Sequence, residues 1–516
     1  MEQSMVWRPE EYCLQRPDKP REECGVVGIF NHPHASALAA QGLQALQHRG
    51  EEACGIVSFG VRTGANGRPE CNDDGSLKER FFEKRHPGLV GEAFNGLDFD
   101  ERLPGGMAIG HNRYSTSGEK AANRNIQPIY AEIATGGFAV AHNGNLTNAL
   151  SLRDRLVDQG AIFQSTMDTE VLMQLAAQSK QRSLIGRFVE AFKSIRGGYA
   201  LVGLSEDYLI GARDPVGLRP LVLGQMEGGR TKILASETCA LDMMGAEFVR
   251  EIEAGEIVVF SEDGEESIFP FERVKARPCA FEYVYFSRPD SIIQGRSVYD
   301  VRVEMGRQLA MEAGVDADVV VPVPDSGTPA AIGFAEQAGI PYRLGIIRSH
   351  YVGRTFIAPT QSARENSVSL KHSPNRAVLK GKRVILVDDS VVRGTTSKKI
   401  VDLVKAAGAR EVHFCSASPM IKHTDHYGID MADDEELFAH RFSHEEMVQR
   451  LGVDSLHFLT VPGLYRAIGL GERNKASPQV SDHCFTGQYP VKNVDKGYRP
   501  RKRHGREDAQ QESFLD

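Results

Sequence analysis

Two adjacent carboxylates followed by a threonine pair mark Val384-Ile385-Leu386-Val387-Asp388-Asp389-Ser390-Val391-Val392-Arg393-Gly394-Thr395-Thr396 as a stretch built for chemistry. Four aliphatic residues predict a buried strand that delivers Asp388 and Asp389 to its carboxyl end. There the carboxylates can accept hydrogen bonds from a vicinal diol or hold a hard cation. Arg393-Gly394-Thr395-Thr396 then opens a helix, whose backbone N–H groups and hydroxyls suit a phosphate monoester. Taken singly, Asp-Asp is a turn and Thr-Thr a helix cap. One loop carrying both can hold a ribose and its 5′-phosphate together.

The same grammar occurs upstream. Val319–Val323 predicts a buried strand, Pro324-Asp325-Ser326-Gly327-Thr328 a loop, and Pro329–Gln337 a helix that stops at Gly339. After Thr396, residues Ile400, Leu403, Val404 and Ala407 fall at i, i+3, i+4 and i+7, one apolar helix face that Gly408 can end. This alternation predicts a parallel α/β sheet with ligands at the strand carboxyl ends. Between the loops, Arg348-Ser349-His350-Tyr351-Val352-Gly353-Arg354 is too polar for a core. Beside two ligand loops it reads as a lid that excludes water when closed.

A lone cysteine is ordinarily a buried structural thiol. Cys24-Gly25-Val26-Val27-Gly28-Ile29-Phe30, however, is followed by four polar motifs. They are Leu46–Gly50 with Cys54-Gly55-Ile56, Gly110–Thr116, Ala141–Leu146 and Ser165–Glu170. Gly25–Phe30, Phe138–Ala141 and Ala200–Leu204 read as strands. Leu152–Leu156 and Thr169–Ala177 read as helices, capped by Thr147 or Ser151 and by Thr166. Asn143-Gly144 is a favoured hairpin-turn pair.

The chain of 516 residues is too long for one core, so two or more domains are expected. A net charge of -8 argues against a general nucleic-acid binder. No apolar run approaches the roughly 20 residues of a membrane span, and Met1–Glu23 lacks the apolar segment of a secretory signal. The eight cysteines include no C-x-x-C pair, so neither a zinc knuckle nor a disulfide framework is suggested, and a reducing cytoplasm fits best. The tail from Lys492, basic at Arg499–Arg503 and acidic at its end, reads as disordered.

Cys24 and its motifs resemble a class II glutamine amidotransferase domain, an N-terminal nucleophile hydrolase. The Asp388–Thr396 loop resembles the phosphoribosyl pyrophosphate (PRPP) loop of type I phosphoribosyltransferases. In this order the halves resemble the amidophosphoribosyltransferase family, from about Glu23 to Pro490 and including the junction Cys279–Ser291. The resemblance implies an α+β αββα sandwich at 24–261, then an α/β phosphoribosyltransferase domain with a mainly parallel sheet and C-terminal helices at 262–490. Residues 1–23 become a propeptide and 491–516 a disordered tail.

The implied activity is hydrolysis of glutamine, passage of ammonia through an internal channel, and displacement of pyrophosphate from PRPP. It yields 5-phosphoribosylamine, pyrophosphate and glutamate, the first committed step of purine synthesis. Cys24 would be the nucleophile and its own α-amine the base, which requires cleavage after Glu23. Asn143 (side chain) and Gly144 (N–H) would form the oxyanion hole. Arg113 would hold the glutamine carboxylate and Asp168 its ammonium, with Arg49 supporting the site. PRPP would be held by Asp325, Ser326, Gly327 and Thr328, by Arg348, Tyr351 and Arg354 of the lid, and by Asp388, Asp389, Ser390, Arg393, Gly394, Thr395 and Thr396. Mg2+ would sit on Ser326, Asp388 and Asp389. Inhibitory purine nucleotides and a tetramer or dimer are expected, with no nucleic-acid or membrane partner.

One branch of the family holds a 4Fe–4S cluster on four cysteines. This chain keeps Cys279 and Cys484 but has Asp425 and Ser481 at the other two positions, so no cluster is expected. The lid departs from the family's frequent Lys-Asn-Arg-Tyr at Arg348-Ser349-His350-Tyr351. Glucosamine-phosphate synthases and asparagine synthetases share the first half but use no PRPP loop. A PRPP-sensing regulator with a dead glutaminase half is countered by the intact Cys24, Arg113, Asn143, Gly144 and Asp168, and by the lack of an evident DNA-binding module.

Overall fold

The computed structural model describes residues 24–62, 69–114, 123–349, 372–431 and 433–498. The expected propeptide 1–23, the lid residues Tyr351 and Arg354, and the tail from 499 lie outside the described residues.

The first half is a four-layer sandwich. Gly25–Phe30 is a strand buried at every residue, because it is central in a seven-stranded sheet. Its odd and even side chains split between two cores: Val27 and Ile29 face an outer helical layer, and Val26 and Phe30 face a second sheet. The first sheet runs Glu247–Glu251, Val222–Met226, Thr231–Ala235, Gly25–Phe30, Met107–Arg113, Ala53–Val61, Glu79–Pro87. The second, six-stranded, runs Gly264–Ile268, Ile257–Ser261, Leu209–Arg213, Gly197–Ser205, Gly136–Leu146, Ile129–Ile133. Val57 and Ile109 from one sheet and Ala141 and Val202 from the other fill the space between them. Helices Ala35–Ala45 and Thr238–Met244 cover the first sheet through Leu38, Leu43 and Leu241. Helices Ala149–Asp158, Thr169–Gln178 and Leu184–Ser194 cover the second through Leu156, Leu172 and Phe188. This is the expected αββα arrangement.

Five local expectations need correction. Asn143 and Gly144 do not turn a hairpin; they lie within the strand Gly136–Leu146, opposite Ala200 and Tyr199. Neither Thr147 nor Ser151 caps the helix Ala149–Asp158: the N–H groups of Leu150 and Ser151 donate to Asp495 at 2.7 and 3.2 Å. Asp168, not Thr166, caps Thr169–Gln178. The boundary at 261 cuts a hairpin, since Gly264–Ile268 pairs with Ile257–Ser261 as the edge of the second sheet. That strand is polar and mostly exposed, as an edge tolerates, and so carries no apolar signal. The tail, expected from 491, is docked as far as Tyr498. Asp495 N–H donates to Thr147 O at 2.9 Å, and Tyr498 O–H donates to Asp154 at 2.9 Å.

In the second half a four-stranded sheet is parallel throughout, in the order Val319–Pro322, Arg383–Asp388, Glu411–Ser416, Ser455–Phe458. Ile385 and Val387 pack toward Val298–Ala313 and Thr328–Ala338. Val384 and Leu386 pack toward Thr395–Ala406 and His444–Leu451. Both faces are covered, which is why these strands read as unbroken aliphatic runs. Helix Thr395–Ala406 buries Ile400 and Val404 and leaves Leu403 half-buried. Among the described residues no helix is long and apolar enough to cross a membrane.

Candidate active site

Cys24 enters the first sheet at its centre. The next residue, Gly25, pairs with Asn112, and Arg113 pairs with Ala53 on the other side. The Cys24 thiol is buried and bonded to the backbone of Tyr114, at 3.3 Å to its O and 3.4 Å to its N. Burial pushes this thiol up to about 12, against the pull of the Tyr114 hydrogen bond and Arg113. It therefore stays protonated at neutral pH and needs a base in contact to become a nucleophile.

The second sheet meets this point from across the sandwich. His111 Nε2 donates to His142 O at 3.1 Å, and burial pushes the His111 ring down to about 3, so it is neutral. Asn143 follows directly and is fully buried, with neither its Oδ1 nor its Nδ2 hydrogen-bonded. Leaving a buried amide unpaired costs about 1–3 kcal/mol, which makes such a group a functional signal. Gly144 has φ +130°, and a Cβ there would stand 2.1 Å from Gly198 O, so only glycine fits.

Asp168 closes the site. Its carboxylate accepts from Leu146 N–H at 2.9 Å and Thr169 N–H at 2.8 Å, and lies 3.6 Å from His142 Nδ1. Burial alone would raise its pKa, but His142 and the two N–H groups outweigh burial and hold it below the usual carboxylate range. Glu170 keeps the approach in place by accepting from Gln164 N–H and Ser165 N–H, both at 2.7 Å. Arg113 and Asp168 both act electrostatically on the Cys24 thiol, and Asn143 and Gly144 follow His142, whose carbonyl accepts from His111 on the strand that carries Arg113.

Arg49 is directed elsewhere. Its guanidinium is fully buried at the junction between the halves, bonded to Glu237 and, at 2.5 Å, to Glu282. Arg219 continues this network, with Nη1 at 3.7 Å from Glu282 and Nη2 at 3.6 Å from Asp425. Buried ions persist when paired in this way.

The second constellation forms where two strands end side by side. Asp388 and Asp389 are buried at the end of Arg383–Asp388. Asp389 N–H donates to Asp388 at 2.9 Å, and Ser390 O–H donates to Asp389 at 2.6 Å. Gly327 approaches so closely that a Cβ would stand 2.4 Å from Val387 O, which seats the Pro324–Thr328 loop against the carboxylates. Arg348 pairs with Asp325, joining the start of the expected lid to that loop. Arg393 pairs with Glu436 at 3.0 Å, and Gly394 caps the helix that presents Thr395 to solvent. Asp388, Asp389 and Ser326 offer an all-oxygen donor set that fits a hard divalent cation.

The four cluster positions converge at the junction. Cys279 and Ser481 are bridge partners, and Asp425, His483 and Cys484 bring potential ligand atoms within 4.8 Å of one another. Ser481 and Asp425 are both already bonded to His483, at 2.8 and 2.7 Å.

Several residues here carried no role in the sequence reading. His111, His142 and Tyr114 stood inside quoted motifs. In the segment Asp425–Asp430 only Asp425 was singled out, as a lost cluster position, and nothing linked the segment to the first site. It reaches the first site from the other half: Asn145 Nδ2 donates to His426 O at 3.0 Å, and Tyr114 O–H donates to Asp430 at 3.3 Å. Only the fold brings residues 280 or more positions apart into contact.

Family comparisons agree with both halves. A glutamine amidotransferase domain model matches residues 111–243, and a phosphoribosyl transferase domain model matches 294–452. An amidophosphoribosyltransferase of Rhizobium etli is 53% identical, covering 93% of this chain and 94% of its own. The Bacillus subtilis amidophosphoribosyltransferase is 44% identical, over 91% and 94%. A solved glutamine PRPP amidotransferase from B. subtilis, complexed with ADP and GMP, superposes with a TM-score of 0.82 at 42% identity over 91% of this chain and 98% of that one. On this sequence and structural evidence, the chain belongs to the amidophosphoribosyltransferase family.

Proposed function

We propose that the residues assembled above divide the family's reaction, glutamine-dependent amination of PRPP at the start of purine biosynthesis, into two half-reactions. In the first, the α-amine of a processed Cys24 takes the thiol proton and Sγ attacks the glutamine carboxamide carbon. The developing oxyanion is met by Asn143 Nδ2 and Gly144 N–H. The C–N bond breaks, ammonia leaves, and water hydrolyses the thioester to glutamate. Arg113 grips the α-carboxylate of glutamine and Asp168 its ammonium, while Arg49 acts as a positioning residue from the junction.

In the second, ammonia attacks C1 of PRPP and the C1–O bond to pyrophosphate breaks. Asp388 and Asp389 orient the ribose hydroxyls; Ser390, Arg393, Gly394, Thr395 and Thr396 hold the 5′-phosphate. Asp325, Ser326, Gly327 and Thr328 cradle the pyrophosphate, with Arg348, Tyr351 and Arg354 closing over it. Asp388, Asp389 and Ser326 would hold Mg2+, which would supply charge neutralisation for the leaving pyrophosphate.

The observation that carries the glutaminase assignment is the buried, unpartnered amide of Asn143, next to the residue whose carbonyl accepts from His111. Asn143→Ala is expected to lower glutaminase turnover by about 100-fold with little change in glutamine KM. Steady-state kinetics of glutamate release in saturating PRPP measures this, and an unchanged kcat would reject the assignment.

The remaining assignments are proposals of the same kind. The glutaminase domain spans 24 to about 270 and the phosphoribosyltransferase domain the rest to about 490, with residues 1–23 removed. The protein is a cytoplasmic homo-oligomer inhibited by purine nucleotides, a reading favoured by the ADP and GMP of the B. subtilis structure. It holds no iron–sulfur cluster, since two of the four positions lack cysteine.

A further inference from the structure

The segment Asp425–Ile429 lies across the back of the oxyanion strand, although it belongs to the other domain. Gly428 has φ +122°, and a Cβ on it would stand 2.8 Å from Gly144 Cα. A Cβ on Gly198, the strand partner of Asn145, would stand 2.9 Å from Tyr427 Cβ. Gly144 is therefore approached closely by the backbone of both Gly198 and Gly428.

Asp425 sets the shape of this strap. One carboxylate oxygen accepts from Tyr427 N–H at 2.7 Å and Ile429 N–H at 2.9 Å, which ties the segment into a tight turn. The other bonds His483 Nε2 at 2.7 Å, and His483 Nδ1 bonds Ser481 Oγ at 2.8 Å. All three residues are buried. Arg219 adds a donor to Tyr427 O at 3.0 Å, and Asn145 adds one to His426 O at 3.0 Å. Backbone groups of His426, Tyr427 and Ile429 are thus all held by buried or half-buried side chains from outside the turn or by Asp425.

We propose that Asp425, anchored by His483 and Ser481, is a positioning residue for the glutaminase half-reaction: it holds Tyr427–Ile429 against Gly144 and so sets the oxyanion geometry from the neighbouring domain. This rests on the reading of Asn143 and Gly144 as oxyanion donors. Displacement of such a donor by about 1 Å costs on the order of 100-fold in rate. Binding of the substrate ends is left to Arg113 and Asp168, which the strap does not touch in the bonds described above.

The test compares glutamine-dependent and ammonia-dependent formation of phosphoribosylamine by the full mature protein. Asp425→Ala is expected to lower glutamine-dependent kcat by about 100-fold, with glutamine KM and ammonia-dependent kcat within about twofold of the parent. Asp425→Asn keeps an acceptor for the Tyr427 and Ile429 N–H groups and is expected to recover most of the loss. Equal losses in both activities, or no loss in either, would overturn the proposal. Should Asp425→Ala not accumulate as folded protein, His483→Gln reads the same ratio, and an unchanged ratio there overturns it equally. Asn143→Ala assayed alongside separates the two ideas. Full glutaminase turnover in that variant sinks the oxyanion reading itself; an impaired Asn143→Ala with a normal Asp425→Ala ratio sinks the strap alone.

Discussion

Cys24→Ala is expected to abolish glutamine-dependent amination of PRPP, by about 10⁴-fold or more, and to leave the ammonia-dependent reaction within about twofold of the parent. The size follows from covalent catalysis: without the thiol no acyl-enzyme forms, and a bound water cannot replace it. The selectivity follows from the fold. Cys24 belongs to a sandwich whose cores are separate from the parallel sheet that carries Asp388 and Asp389. Side-by-side assays with glutamine and with ammonium salt measure both, and substantial glutamine-dependent synthesis by the variant would remove Cys24 from the mechanism. A chain that retains residues 1–23 should behave like the variant. Burial holds the Cys24 thiol near 12, so without a free α-amine it has no base in the contacts described above. Intact mass and N-terminal sequencing of the assayed sample connect activity to processing directly.

What the sequence disclosed depended on how local each feature was. The Asp388–Thr396 loop was legible in full, because its strand, carboxylates and helix opening are contiguous and the strand is buried on both faces. The αββα sandwich was legible through motifs carried on its central strands. The edge strand Gly264–Ile268 was not, since an exposed edge needs no apolar pattern. Asn143-Gly144 misled for a related reason. The pair that favours a turn here sits in mid-strand, where the positive φ of Gly144 and the close approach of Gly198 and Gly428 require glycine. Asp495 capping a helix at Ala149, and Arg49 spent on Glu237 and Glu282, are contacts across hundreds of residues. Polar partners at that range leave no periodicity to read.

The second large effect belongs to the other site. Asp388→Asn and Asp389→Asn are each expected to lower both the glutamine-dependent and the ammonia-dependent reactions by about 100-fold or more. Asparagine keeps the shape and one acceptor oxygen, so Asp389 N–H and Ser390 O–H retain their partners at these positions. What is lost is negative charge at the end of a parallel strand. On the proposed roles of Asp388 and Asp389, that charge binds a hard cation and accepts from two ribose hydroxyls at once. Because ammonia and glutamine feed the same attack on C1 of PRPP, the two losses should be equal, the opposite of the pattern for Cys24→Ala and Asp425→Ala. Glutaminase turnover measured without PRPP should stay within about twofold of the parent, since the residues proposed for it all lie in the sandwich, away from these carboxylates. Raising magnesium should recover part of the activity if the carboxylate binds the cation, through a shift in apparent KM for Mg2+ rather than in kcat. A variant that loses only the glutamine-dependent reaction would place these carboxylates in signalling between the sites and not in the PRPP chemistry.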